Sequence, residues 1–220
     1  MLISSRVGHD VRKAVADGYP VQNVIASDLR KGTCYKISSQ NLPDHCPAFW
    51  DLGHELFNST PESFPAMFIA GDVFDSSLLA PRPPFYESPQ TPPPPLTCLT
   101  SLTPLQGHIS AIHASSLFHL FGEEKQLELA HAIATLLSPL PGSVIFGSHL
   151  GHPVKGFRTE MATSRGNGIF CHSPDSWCEL WNGKVFERGT VRVDAGLKQL
   201  NATHSKFSVF SMLWWSVTRL

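Results

Sequence analysis

The chain has 220 residues, 42% of them apolar, a formal charge of −1 and a pI near 6.8, which suits one well-packed globular domain and excludes a disordered chain. The balanced charge offers no basic surface for nucleic acid or an anionic membrane, no run of about 18 apolar residues offers a membrane span, and the opening MLISSRVGHDVRKA is too briefly apolar for a secretion signal. The five cysteines (Cys34, Cys46, Cys98, Cys171 and Cys178) are odd in number and irregularly spaced, which points to free thiols in a reducing, cytoplasmic setting.

Residues 9–18, HDVRKAVADG, place Val11, Ala14 and Val15 on one helical face and end on Gly18, which suits a helix C-cap. VQNVIASD, residues 21–28, reads as a strand entered through Pro20. AFWDLGHELFNS, residues 48–59, puts Phe49, Leu52, Leu56 and Phe57 at helical spacing. PAMFIAGDVFD, residues 65–75, reads as a short buried strand that breaks at Gly71-Asp72. Residues 81–98 carry eight prolines by position 95, which no element interior tolerates. They are expected to form a loop or polyproline spacer; its P-x-x-P spacings could suit an SH3-type partner, but an idle linker is the plainer expectation.

GHISAIHASSLFHLF, residues 107–121, reads as a strand followed by a turn. EEKQLELAHAIATLLSPL, residues 123–140, is a helix with Leu127, Ala130, Ile133, Leu136 and Leu137 on one stripe, stopped by Pro139. GSVIFGSHLG, residues 142–151, is a buried strand ending in glycine. SPDSWCELW, residues 173–181, opens with Ser173 as N-cap and Pro174 at the first helical position, and carries Trp177 and Trp181 one turn apart, where core packing is the simplest role. KVFERGTVRVDA (184–195) and KFSVFSMLWWSVTRL (206–220) then read as two strands with no helix between them. Strands and helices alternate up to about residue 182, which predicts an α/β fold with a mostly parallel sheet, while the terminal pair predicts an antiparallel edge.

Ligands of open α/β sheets bind beyond the carboxyl ends of the strands. Those ends are Asp28, Gly71-Asp72, His113-Ala114-Ser115 and Gly147-Ser148-His149. A carboxylate at Asp28 can accept two charge-assisted hydrogen bonds from the vicinal hydroxyls of a ribose. Asp72 can accept from an exocyclic amine, with Val73 and Phe74 sandwiching a flat base. The alternative is that both acids cap helices or form turns.

Taken together, VGHDVRKAVADGYPVQNVIASDL, AFWDLGHELF, FIAGDVFD, SLTPLQGHISAIHASSLFHLF, LLSPLPGSVIFGSH, GFRTE and FCHSPDSWCELW resemble the fungal class I S-adenosylmethionine-dependent methyltransferases of meroterpenoid and related secondary-metabolite pathways. The resemblance spans nearly the whole chain except its first residues and 31–46, and implies one Rossmann-like methyltransferase domain over residues 1–220. It implies an O-methyltransferase that uses S-adenosyl-L-methionine to modify a carboxyl or hydroxyl group of a small terpenoid or polyketide acceptor. In the family the acid after the second strand holds the ribose, and the GDVF acid and its neighbour contact the adenine. That carries over to Asp28 and Leu29, and to Asp72 and Val73; Phe74, His113, Ala114 and Gly8 complete the expected cofactor set. Oligomeric state is left open, with a homodimer as one option.

Two departures stand out. The family pattern after the first strand is D-x-G-C-x-x-G-Q-D, and only Val7-Gly8-His9-Asp10 matches it here, so the first strand reads as largely missing. That strand is central in such a sheet, and its loss exposes its neighbours' backbone groups. The alternative activity is therefore an inactive or truncated methyltransferase-like chain. The second departure is KGTCYKISSQNLPDHC, residues 31–46, inserted where the family runs almost directly from SDLR into FWDLG. It reads equally as retained intron sequence or as a surface loop, and sequencing the transcript separates the two.

Other chemistry is thin. Cys34, His45 and Cys46, or His149 and His152, do not match a zinc pattern, so no metal is expected. GSHLG lacks the serine placement of a hydrolase nucleophile elbow. A nicotinamide-linked oxidoreductase would need G-x-G-x-x-G, of which only Gly8 is present. For methyl transfer a carboxylate acceptor needs no base at neutral pH, whereas a hydroxyl does. His113 is the candidate base or orienting group, followed by His119 and His149; a hydrogen-bonded wall residue is the plainer role for each.

Overall fold

The computed structural model describes residues 8–28, 49–159, 168–201 and 209–220. They fall into two compact units, residues 1–80 with 94–104, and residues 81–93 with 105–220. Leu29, the 31–46 insertion, Cys34, His45 and Cys46 lie outside the described residues.

The first unit contains α1 (His9–Ala16), β1 (Ile25–Asp28), α2 (Phe49–Leu56) and β2 (Met67–Ala70). β1 and β2 pair in parallel, from Ile25 opposite Met67 to Asp28 opposite Ala70. Parallel neighbours need a crossover, and α2 lies on the connection. Helix α1 stops where Gly18 adopts φ 104°: Gly18 N–H donates to Val15 and Tyr19 N–H to Ala14, both at 3.0 Å, the Schellman pattern that satisfies the last carbonyls. Val11, Val24, Ala26, Trp50 and Phe64 form the core. The Arg12 guanidinium lies 4.3 Å from the centre of Phe64 and donates to Ser59 Oγ at 2.6 Å, so its stem and charge both cover that core.

Gly8 opens α1 at φ 69°, and a Cβ there would lie 2.7 Å from the Trp50 ring. Both the left-handed backbone and the ring exclude a side chain. Gly8→Ala is expected to cost roughly 1–3 kcal/mol, read as a lowered denaturant midpoint; an unchanged midpoint would contradict the packing described.

The second unit contains β3 (Ala111–His113), α3 (Glu123–Leu136), β4 (Val144–Gly151), β5 (Gly156–Arg158), β6 (Ile169–Cys171), α4 (Pro174–Trp181), β7 (Val191–Asn201) and β8 (Val209–Arg219). Its main sheet runs β3-β4-β8-β7. β3 and β4 are parallel, while β8 is antiparallel to both β4 and β7. Three strands therefore share a direction and only β8 is reversed. The expected antiparallel terminal pair is present, but β8 inserts inside the sheet and leaves β7 at the edge. Among the described residues β1 pairs only with β2, and β3 only with β4.

Two local features depart from expectation. β7 starts at Val191 rather than near 184, because 187–190 form a turn closed by Thr190 N–H donating to Glu187 O at 3.1 Å. The short hairpin β5–β6 is additional; three-residue strands carry no readable alternation. On α3 the expected stripe is buried at Ala130, Ile133, Leu136 and Leu137, with Leu127 half-buried, and the buried face also takes in Gln126 and Leu129. The Gln126 amide donates to Phe121 O at 2.9 Å and Phe170 O at 3.1 Å, which lets this polar residue join the buried face.

α4 begins as expected, with Ser173 and Ser176 forming a reciprocal capping box and Pro174 next. Trp177 and Trp181 are fully buried, packed with Phe118 and Trp215. The first part of the proline-rich stretch is not an idle spacer. Buried Arg219 donates to Phe85 O at 2.7 Å and lies 4.9 Å from the ring centres of both Tyr86 and Phe186. The Tyr86 hydroxyl accepts from Glu187 N–H at 2.8 Å. No helix among the described residues is long and apolar enough to cross a membrane.

Candidate functional site

In the first unit the parallel register brings the carboxyl ends of β1 and β2 side by side. Asp28 stands opposite Ala70, and its carbonyl accepts from Gly71 N–H at 3.0 Å. Asp72 follows directly, so two carboxylates leave adjacent strands at the same end of the pair. Asp28 is half-buried and Asp72 exposed. Asp72 Oδ1 accepts from Phe74 N–H at 3.0 Å, a turn-forming bond that fixes the carboxylate and the turn carrying Val73 and Phe74. Turn formation and ligand binding are thus compatible for this acid, since a carboxylate accepts about four hydrogen bonds. Val73 and Phe74 are half-buried beside it. Gly71 permits the tight exit: a Cβ there would meet the Leu78 side chain at 2.9 Å.

Gly8 lies in the same unit, and its contact is with Trp50. The unit also holds a cavity of about 560 Å³, lined by Val24, Trp50, His54, Phe64, Met67 and Phe68 among others. Val24 and Met67 set it against the amino ends of β1 and β2, the opposite end from Asp28 and Asp72, and Trp50 and His54 of α2 supply another wall. Burial, followed by the Arg12 charge, pushes the His54 imidazole below its ordinary pKa.

His113 and Ala114 belong to the second unit, at the carboxyl end of β3. Both are buried, His113 with 9% exposure. His113 Nε2 and Ser115 Oγ are 2.8 Å apart, and Ser115 Oγ accepts from Ser148 N–H at 3.1 Å. The His113 ring packs 5.1 Å from Phe146. Ala114 N–H donates to Phe146 O at 2.9 Å and Ser116 N–H to Ser148 O at 2.7 Å, so the chain stays zipped to β4 past the end of β3. Gly147 permits that approach, because a Cβ there would fall 2.2 Å from Ala114 O. The sequence places Ser115 and Ser148 at strand ends, but their mutual hydrogen bond follows only from the β3–β4 pairing.

The other two histidine candidates sit deeper. His149 Nδ1 accepts from Trp215 Nε1–H at 3.0 Å inside a shell of Trp177 and Phe118. Burial holds His149 well below its ordinary pKa and lowers His119 as well. His172, bonded to Ser176 Oγ at 2.9 Å, is brought down to about 4, first by burial and then by the Lys155 charge. These are neutral core imidazoles. Among the described residues no group of three or more His, Cys, Asp or Glu could hold a metal ion.

No family model matches the chain. Among curated proteins it is 28% identical to O-methyltransferase phiE of a fungal strain, covering 84% of this chain and 48% of that protein. It is 27% identical to the Asnovolin E/Chermesin D methyltransferase nvfJ of Aspergillus novofumigatus, covering 90% of this chain and 54% of that protein. It is 25% identical to O-methyltransferase atr3 of Stereocaulon alpinum, covering 86% and 44%. The chain thus spans about half the length of the curated relatives it matches. Among solved structures it is similar to an S-adenosylmethionine-dependent methyltransferase of Methanosarcina mazei, with a TM-score of 0.57 at 9% identity over 100% of this chain and 91% of that one. A second is Burkholderia thailandensis 1,6-didemethyltoxoflavin-N1-methyltransferase with bound S-adenosylhomocysteine, with a TM-score of 0.56 at 11% identity over 100% and 70%.

Proposed function

We propose that this chain, a homologue of the fungal secondary-metabolite methyltransferases with the class I methyltransferase fold, is an S-adenosylmethionine-dependent O-methyltransferase of a small apolar metabolite. The observation that carries the reading is the pair of carboxylates, Asp28 and Asp72, leaving adjacent parallel strands at one end. Two acceptors so placed fit a nucleoside: a diol for Asp28 and an amine-bearing base for Asp72, with Val73 and Phe74 against the base faces. Gly8, Leu29, Ala114 and His113 complete the proposed set, and the whole chain acts as one methyltransferase domain.

The cofactor supplies an activated methyl group on a sulfonium. The protein's share is to hold and orient, because the leaving group is already good. Proximity and alignment of this kind contribute up to about 7–11 kcal/mol. Asp28 and Asp72 fix the nucleoside end. His113, held against Ser115 Oγ at 2.8 Å, is the proposed orienting group for the acceptor oxygen. The acceptor is a carboxyl or hydroxyl group of a terpenoid or polyketide.

The test is transfer of an isotope-labelled methyl group from S-adenosylmethionine to a panel of apolar carboxylic acids and phenols. Labelled ester or ether is the expected product. Cofactor binding with no transfer to any panel member, under conditions where a related fungal methyltransferase turns over, would count against the reading.

A further inference from the structure

We propose that the cavity walled by α2 at the amino ends of β1 and β2 is a second small-molecule site, built for a flat apolar ring system that carries a hydroxyl group, and separate from the carboxylate end of the same strands.

Its size sets the class of occupant. At about 560 Å³ the space far exceeds a water molecule and falls among small-molecule pockets, roughly 300–1,000 Å³. Its lining residues lie between Gln22 and Phe68, with Leu96 and Thr97, so the first unit builds it alone.

The walls set the shape. Trp50 and Phe68 stack with their ring centres 5.2 Å apart and 20° between their planes, and Phe64 tilts against Trp50 at 6.1 Å. Close packing with Gly8 holds the Trp50 ring in place. A planar ring gains from stacked and edge-to-face contacts on such walls beyond the burial of its area. An aliphatic chain would fill the same volume without using them.

One polar edge breaks the apolar lining. His54 lines the cavity, while its Nδ1 is engaged by Ser59 Oγ at 3.0 Å, and Ser59 Oγ also accepts from Arg12 Nη1 at 2.6 Å. Neither Ser59 nor Arg12 lines the cavity. The ring therefore turns its opposite edge toward the cavity, and Nε2 on that edge bonds to no described residue. Burial, followed by the Arg12 charge, keeps this imidazole neutral, so Nε2 either donates or accepts one hydrogen bond. A hydroxyl does both and matches Nε2 in either tautomer. A carboxylate only accepts, and the Asp51 carboxylate on the cavity wall repels it.

Calorimetric titration of the full 220-residue chain tests the site, with 2-naphthol as the probe beside naphthalene and 2-naphthoate. Saturable one-site binding of 2-naphthol is expected, about tenfold tighter than naphthalene through the one added hydrogen bond, and at least about tenfold tighter than 2-naphthoate. His54→Phe keeps a ring in the wall and removes Nε2, so it is expected to bring 2-naphthol down to the level of naphthalene. Ala66→Phe places a ring in the space and is expected to abolish binding of both, with the thermal midpoint showing that the chain is folded. Thr97→Trp closes the space from an exposed position and gives the same readout without entering the core. A folded wild-type chain that does not bind 2-naphthol, or folded Ala66→Phe and Thr97→Trp chains that bind it unchanged, would overturn the proposal. Equal affinity for 2-naphthol and naphthalene would overturn the hydroxyl assignment. Competition from S-adenosylhomocysteine would overturn the separation of this cavity from the carboxylate end. Self-association of the chain that 2-naphthol reverses would give the cavity to a protein partner and equally overturn it.

Discussion

Asp28→Ala is expected to weaken S-adenosylhomocysteine binding by about a hundredfold or more. Two charge-assisted hydrogen bonds from a diol contribute roughly 1.5–3 kcal/mol each, and every 1.4 kcal/mol is about a factor of ten in affinity. Asp28→Asn retains one acceptor oxygen without the charge, so its loss should be nearer about tenfold. Asp28 closes β1 at the strand end rather than filling the core, so the substitution should leave the thermal midpoint close to wild type. An Asp28→Ala chain that folds and binds normally would remove Asp28 from the site.

Acidification is expected to destabilise the second unit between about pH 6.5 and pH 4. His149, His172 and His119 are buried neutral, with folded-state values pushed down by burial. As pH falls, the unfolded chain binds protons first, near the ordinary histidine value, while the folded unit resists. Stability is therefore complete above the unfolded value and is lost as pH falls toward the folded one. For His172 alone, the step from 6.5 to about 4 is worth roughly 3 kcal/mol. His149 adds to it in the same direction, since protonating Nδ1 would set it donor against donor with Trp215. Urea unfolding followed by tryptophan fluorescence at pH 7 and pH 5 reads this directly, because Trp177 and Trp215 lie in the same cluster. A midpoint that does not move between those pH values would contradict the neutral-core assignment, and His172→Phe should flatten the slope by about one proton.

Much of the local structure was legible because it is dictated locally. Gly18, Ser173 and Pro174 mark helix ends by backbone chemistry that needs no tertiary context. Asp28 and Asp72 could be placed at strand ends because the apolar runs before them stop abruptly. What the sequence did not disclose depends on partners distant in the chain. The inward turn of Gln126 is set by carbonyls at Phe121 and Phe170. The packing of 85–86 depends on Arg219, more than 130 residues away, so eight prolines read only as a spacer. The insertion of β8 between β4 and β7 is a pairing choice that alternation alone does not encode. Ser115 and Ser148 could be placed at strand ends, but the bond from Ser148 N–H to the Ser115 hydroxyl depends on the β3–β4 pairing.

Fold and relatives point the same way, yet the chain covers about half of those relatives' length, so cofactor binding by this chain is the decisive quantity. It is measured by calorimetric titration of the purified 220-residue chain with S-adenosylhomocysteine, with folding verified by circular dichroism. The account predicts saturable one-site binding in the micromolar range that is lost in Asp28→Ala. A folded chain that gives no binding heat at any temperature tried, and no thermal shift with excess ligand, would contradict it.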